Sequence, residues 1–280
     1  MKNFLLLAIT VMFTRPMFAQ PPIFVKSGET YIISKSESKM IIEKLTMEDN
    51  STIVLSDDVM LWDITAFDAQ FGENCKIQGV GKDGLNGDVG KHSGNQGVDC
   101  KEGLNGENGE DATPGTEGKD IKMTLGIRKI GSVVVDVQGG IGTRGGKGGN
   151  GGKGGRADCS NNCNGGIGGN GGDGGKNSDG QPGGNIEIVF WVVQNNEQPS
   201  PTPQEVKGKG FIFINNGGKG ATGGKRGERG KGGEGKDCRR PIKNRSPGGP
   251  GRNGKIQPTS KSGASGTYKI TPAANPVSRN

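Results

Sequence analysis

Five cysteines, a single histidine and a ladder of basic side chains are the groups through which this chain could act chemically. Cys75, Cys100, Cys159, Cys163 and Cys238 would meet an oxidising compartment after export, and the odd count leaves one thiol unpaired or intermolecular. His92 stands alone inside a glycine-rich stretch, where no nucleophile can be linked to it, so general acid–base catalysis finds no support. The paired carboxylates Asp57 and Asp58 fall at an expected turn between strands, and adjacent residues on a strand point to opposite sides. Cys159 and Cys163 have a loose metal-like spacing but no second ligand pair, so a disulfide is expected there, and no metal or other cofactor. The chain therefore reads as a non-enzyme.

The remaining chemistry is charge. In the stretch from 139 to 156 the third residue of successive triplets is Ile141, Arg144, Lys147, Asn150, Lys153 and Arg156, and Lys225, Arg226, Arg229, Lys231, Arg239 and Arg240 follow later. Arg144, Lys147, Lys153, Arg156, Lys225, Arg226 and Arg229 are the candidates for binding phosphate, sulfate or uronate groups on a polyanionic surface, against the blander reading of a solvated face. Nucleic acid is not expected, because the basic stretches carry no aromatic platforms for bases. The stretch from 79 to 118 leans acidic through Asp83, Asp88, Asp99, Glu102, Glu107, Glu110, Asp111 and Glu117, which invites association within or between molecules.

These side chains sit on an unusual frame. Glycine supplies 56 of the 280 residues and aromatic residues only 5%, too few for a conventional core to hold the whole chain. Residues 1–19 combine Lys2, an apolar run from Phe4 to Phe13 and Ala19, the pattern of a secretory signal peptide. No later apolar stretch is long enough for stable membrane insertion, so a secreted location is expected, extracellular or periplasmic.

Glycine gathers in three tracts, roughly 79–118, 139–184 and 217–254, with a period of three. Each is entered by a short strand-like segment (ENCKIQGVG, SVVVDVQGG, GFIFINNGG) and left by another (IKMTLGI, NIEIVFWVV, TYKITPA). The period breaks near the middle of each tract, at Val98-Asp99-Cys100, Ala157-Asp158-Cys159 and Lys236-Asp237-Cys238, which points to three copies of one plan. Three residues per turn is the period of a polyproline II helix, whose backbone groups must pair with neighbours, and glycine permits that approach. A collagen-like rope is disfavoured, since the first tract holds one proline, Pro114, and slips register at Lys91. The second tract has glycine in two of every three places and should be central.

On this GxxGxxG periodicity the tracts resemble the polyglycine II bundles of springtail antifreeze proteins and of adhesins at bacteriophage tail-fibre tips, over about half of the chain. The resemblance implies a mainly β fold with a polyglycine II (polyproline II-type) helical bundle, in three strand–glycine hairpin–strand repeats after an N-terminal β-region. It also implies Cys100, Cys159, Cys163 and Cys238 at or near the tips, with disulfides joining neighbouring hairpins and Cys75 left unpaired. The expected domains are a signal peptide (1–19), an N-terminal β-region (20–78), and three glycine hairpins with their strands (79–138, 139–208 and 209–280). The expected function is a secreted, non-catalytic structural or adhesive surface or matrix protein, with self-association or a polyanionic glycan as partner. An ice-binding role ranks lower, because hydrated ammonium and guanidinium groups break the flat face that ice requires.

Overall fold

A computed structural model describes residues 20–94, 99–194, 200–239 and 242–274. The expected signal peptide, Val98, Arg240 and part of the proline-rich segment 196–206 lie outside the described residues. Among the described residues eleven strands wind back and forth between two sheets. β1 (Ile23–Val25), β3 (Lys39–Met47), β5 (Leu61–Phe71), β7 (Asp120–Ile130), β9 (Ile186–Val192) and β11 (Tyr268–Pro272) form one sheet in that order. β2 (Thr30–Ile33), β4 (Thr52–Leu55), β6 (Cys75–Gln78), β8 (Val133–Asp136) and β10 (Phe211–Ile214) form the other. Every neighbouring pair is parallel, and the one α-helix among the described residues, the short Pro203–Glu205, precedes β10.

Alternation along each strand builds the core. In β5, Trp62, Ile64 and Ala66 face inward, a bulge between Ala66 and Ala69 resets the phase, and Ala69 and Phe71 again face inward. Parallel register then stacks like on like: Ile42, Ala66, Leu125 and Phe190 lie at successive paired positions, each fully buried. Burying a side chain such as Leu125 or Phe190 contributes about 1.5–3 kcal/mol, so this ladder, repeated along the coil, anchors the molecule. Cys75 sits in the same core, and burial pushes its thiol pKa up, which keeps it protonated and inert.

The glycine tracts are insertions at one corner of this coil. Loop 1 (79–118) runs from β6 to β7, loop 2 (139–184) from β8 to β9, and loop 3 (215–266) from β10 to β11, each crossing from the same sheet to the other. This corrects the expected fold class and the resemblance that suggested it. The regular structure is two parallel sheets, not a polyglycine II or polyproline II helical bundle of hairpin repeats, and the two strands flanking each tract belong to different sheets, each pairing in parallel only with strands of its own sheet. Among the described residues the loops contribute no helix and no strand, only the isolated bridges Leu85–Thr113, Asp158–Cys163 and Lys236–Arg245. A collagen-like rope is equally unsupported, since all six loop limbs belong to one chain and are pinned at their bases by the sheets. The physical reason is that a glycine every third residue requires only that another backbone approach closely. The strands decide which backbone does so.

Backbone bonds hold the loops in the order 1, 2, 3. Gly84, Gly87 and Gly90 of loop 1 donate to Ile141, Arg144 and Lys147 of loop 2, and Gly151 and Gly154 of loop 2 donate to Glu228 and Lys231 of loop 3, at 2.8–3.0 Å. At the base, Lys119 is buried and donates to the carbonyls of Leu55 and Ser56 at 2.8 and 2.9 Å, fastening loop 1 to the preceding coil. Its ammonium pKa is pulled down by burial.

Candidate anion-binding site

Asparagine and aspartate fix the register of the loops. Oδ1 of Asp83 and of Asn86 accept from the backbone N–H groups of Ile141 and Arg144, and His92 Nδ1 accepts from Asn150, each 58 residues away. On the returning limbs and at their base Asn105, Asn108, Asp111 and Asp120 cap Asn170, Asp173, Lys176 and Asn185, each 65 residues away. Between loops 2 and 3 the separation is 78 on the outgoing limbs, where Asn150 caps Glu228, and 82 on the returning limbs and at their base, from Asn164 capping Ser246 to Asn185 capping Thr267. Constant separations mean that the limbs run without slippage, so charged side chains between the caps are held at fixed spacing. Sequence reasoning treated Asp83 and Asp111 only as charge. The signal it missed is an Asn or Asp recurring at these separations.

Two disulfides join the loops. Cys100–Cys163 links loop 1 to loop 2 and Cys159–Cys238 links loop 2 to loop 3, while Cys75 is free and buried. Beside them Asp158 is buried, accepting from Ser160 Oγ at 2.9 Å, Asn161 Nδ2 at 2.8 Å and Lys236 Nζ at 3.3 Å. The Ser160 hydroxyl, helped by Lys236, holds its carboxyl below the ordinary carboxylate range. A folded pKa below the unfolded value adds stability above about pH 4, and that contribution is lost as pH falls through the folded pKa. Acid titration is thus expected to loosen this end of loop 2, read as faster amide exchange at Cys159–Cys163 below about pH 4. Asp158→Asn should remove that pH dependence, and an unchanged exchange profile in the variant would refute the assignment.

The seven basic candidates separate into three groups. Lys147, Lys225, Arg226 and Arg229 line one cleft of about 860 Å3, joined by Lys231 and facing a single carboxylate, Glu228. Lys153 and Arg156 instead pair with Glu234, at 2.8 and 3.5 Å, and Lys153 holds that carboxyl below its usual pKa. Arg144 is exposed outside the cleft, its N–H capped by Asn86. Asn253 completes the lining beside the exposed Ile256. Lys147 belongs to loop 2 and the other cations to loop 3, so the cluster exists because Gly148 N–H donates to the Lys225 carbonyl at 3.1 Å.

The other candidate chemistries lie apart from this cleft. Asp57 pairs with Lys82 at 2.5 Å, which lowers its pKa, and Asp58 accepts from Ser56 Oγ. Among the described residues no group of three or more His, Cys, Asp or Glu side chains is placed to hold a metal, and no helix is long and apolar enough to cross a membrane. The two disulfides mark an oxidising, extracellular type of environment. No protein-family profile, curated protein or solved structure matches this chain.

Proposed function

We propose that this is a secreted, non-catalytic surface or matrix protein that adheres to polyanionic glycans through the cationic cleft of loops 2 and 3. The observation that carries the reading is the convergence of Lys147, Lys225, Arg226, Arg229 and Lys231 on one cleft with a single opposing carboxylate. Basic groups on a backbone-pinned scaffold lose little freedom when a chain of sulfates or uronates settles along them, and their summed field draws that polymer in. Arginine adds bidentate contact with sulfate or carboxylate oxygens.

The test is chromatography of the mature, oxidised protein on immobilised heparin, with neutral dextran as the control matrix. Retention on heparin alone, eluted by salt, is expected. The triple substitution Lys225→Gln, Arg226→Gln, Arg229→Gln should elute at clearly lower salt, whereas Lys39→Gln with Lys44→Gln on exposed β3 positions should elute with the wild type. Equal retention on dextran, or an unmoved elution point for the triple variant, would overturn the reading.

A further inference from the structure

Charge is graded across the loop stack. Loop 1 carries eight acidic and three basic residues, loop 2 three and five, and loop 3 three and thirteen. Because loop 2 is hydrogen-bonded to both others and lies between them, the acidic and basic loops face away from each other across it. One end of the stack is therefore an acidic loop and the other a basic loop, with Asp83 and Asp111 turned inward to cap loop 2. The positions that would meet a partner are exposed, among them Asp88, Glu107 and Glu110 on loop 1 and Lys225, Arg226 and Arg229 on loop 3.

The shape of the molecule adds a second observation. The coil before loop 1 contains β1, β3 and β5 of one sheet and β2 and β4 of the other, and its corners at 34–38 and 56–60 are short. Among the described residues loop 1 thus overhangs a notch as deep as the three strands β1, β3 and β5 of the first sheet, roughly 14 Å at about 4.8 Å per strand. The stack of three loops continues the same strand spacing, so its own thickness is three such steps. The notch under the acidic face has the depth of the stack that carries the basic face.

We infer that the protein self-associates by seating the basic loop 3 face of one molecule beneath the acidic loop 1 face of the next. In this arrangement the second molecule keeps the same stack direction, is turned by about half a revolution around the stack axis, and is displaced by the thickness of three loops. The contact joins two different surfaces and leaves one of each free at the ends, so it generates an open filament rather than a closed dimer. Polyanions would compete for the loop 3 face, so a soluble glycan should dissolve the filament. The inference shares the loop 3 cations with the glycan-binding reading and differs from it in its acidic half, which lies on loop 1.

Sedimentation velocity on the mature, oxidised chain tests it. At low ionic strength the sedimentation coefficient is expected to rise with protein concentration, and to return to the monomer value near about 1 M salt, where the screening length falls to about 3 Å. Two charge-reversed variants are then compared, one with Asp88→Lys, Glu107→Lys and Glu110→Lys, the other with Lys225→Glu, Arg226→Glu and Arg229→Glu. Each alone should stay monomeric, and an equimolar mixture should assemble, since every contact becomes complementary again. A wild type that remains monomeric at low salt, a variant that assembles alone, or a mixture that fails to assemble would each overturn the inference. The acid-reversed variant keeps its loop 3 cations, so its retention on heparin reports on glycan binding separately.

Discussion

Gly146→Ala is expected to collapse the loop stack, while Gly249→Ala, also a loop glycine, is expected to leave it intact. A Cβ on Gly146 would overlap the Asp88 carbonyl oxygen and lie 3.1 Å from the Glu110 nitrogen, both backbone atoms of loop 1. Those atoms cannot withdraw cheaply, because Gly146 N–H donates to the Glu110 carbonyl at 2.8 Å and Glu110 N–H donates to Asp88 at 2.9 Å. Separating the limbs breaks several such bonds together, at a cost of about 3 kcal/mol or more, in the upper range for overpacking. A methyl group on Gly249 would meet no atom within 4 Å, so its alanine variant should stay within about 0.5 kcal/mol of the wild type. Thermal unfolding followed by circular dichroism separates the two variants. Equal melting temperatures would show that the loops are not packed backbone against backbone.

Reduction of the two disulfides is expected to melt the outer ends of the loops while sparing the sheets. The bridges span 63 and 79 residues in sequence. In the chain-entropy account each closure of that length is worth about 4 kcal/mol, and the two are not strictly additive because both involve loop 2. The core contains Cys75 but neither bridge, and its stacked apolar side chains hold without them. A reduced sample should therefore unfold in two steps, an early one from the loops and a later one from the sheets, whereas the oxidised sample unfolds later and more cooperatively. Iodoacetamide adds a second readout: the native, oxidised protein should resist labelling, and Cys75 should react only when the sheets open. A single transition unaffected by reductant would mean that the bridges contribute nothing to loop order.

Much of the local structure was legible in the residues. The entering segments ENCKIQGVG, SVVVDVQGG and GFIFINNGG contain β6, β8 and β10, and the leaving segments hold the middle of β7 and all of β9 and β11, because alternating apolar residues suit strands with one buried side. The glycine triplets signalled a close backbone approach, and Gly84, Gly87 and Gly106 each meet a neighbouring carbonyl where a side chain would stand. The resemblance to polyglycine II bundles did not carry over to the fold. Period three is a local demand for small residues, and it does not say whether the flanking strands pair with each other or with strands from another part of the chain.

The anion site shows the same division between local chemistry and long-range placement. Residue types were enough to establish that the loops would be rich in glycine, carry basic side chains and bring several cysteines to an oxidising compartment. Folding was needed to establish that Lys147 meets Lys225 while Lys153 and Arg156 are drawn to Glu234, that Cys100 bridges to Cys163 and Cys159 to Cys238, and that acidic and basic loops lie on opposite faces. These contacts join limbs whose registers are offset by 58, 65, 78 and 82 positions, set by parallel strands at the loop bases and transmitted outward by Asn and Asp caps. Side-chain type is encoded residue by residue, whereas a neighbour across the stack follows from how many residues each turn of the coil contains.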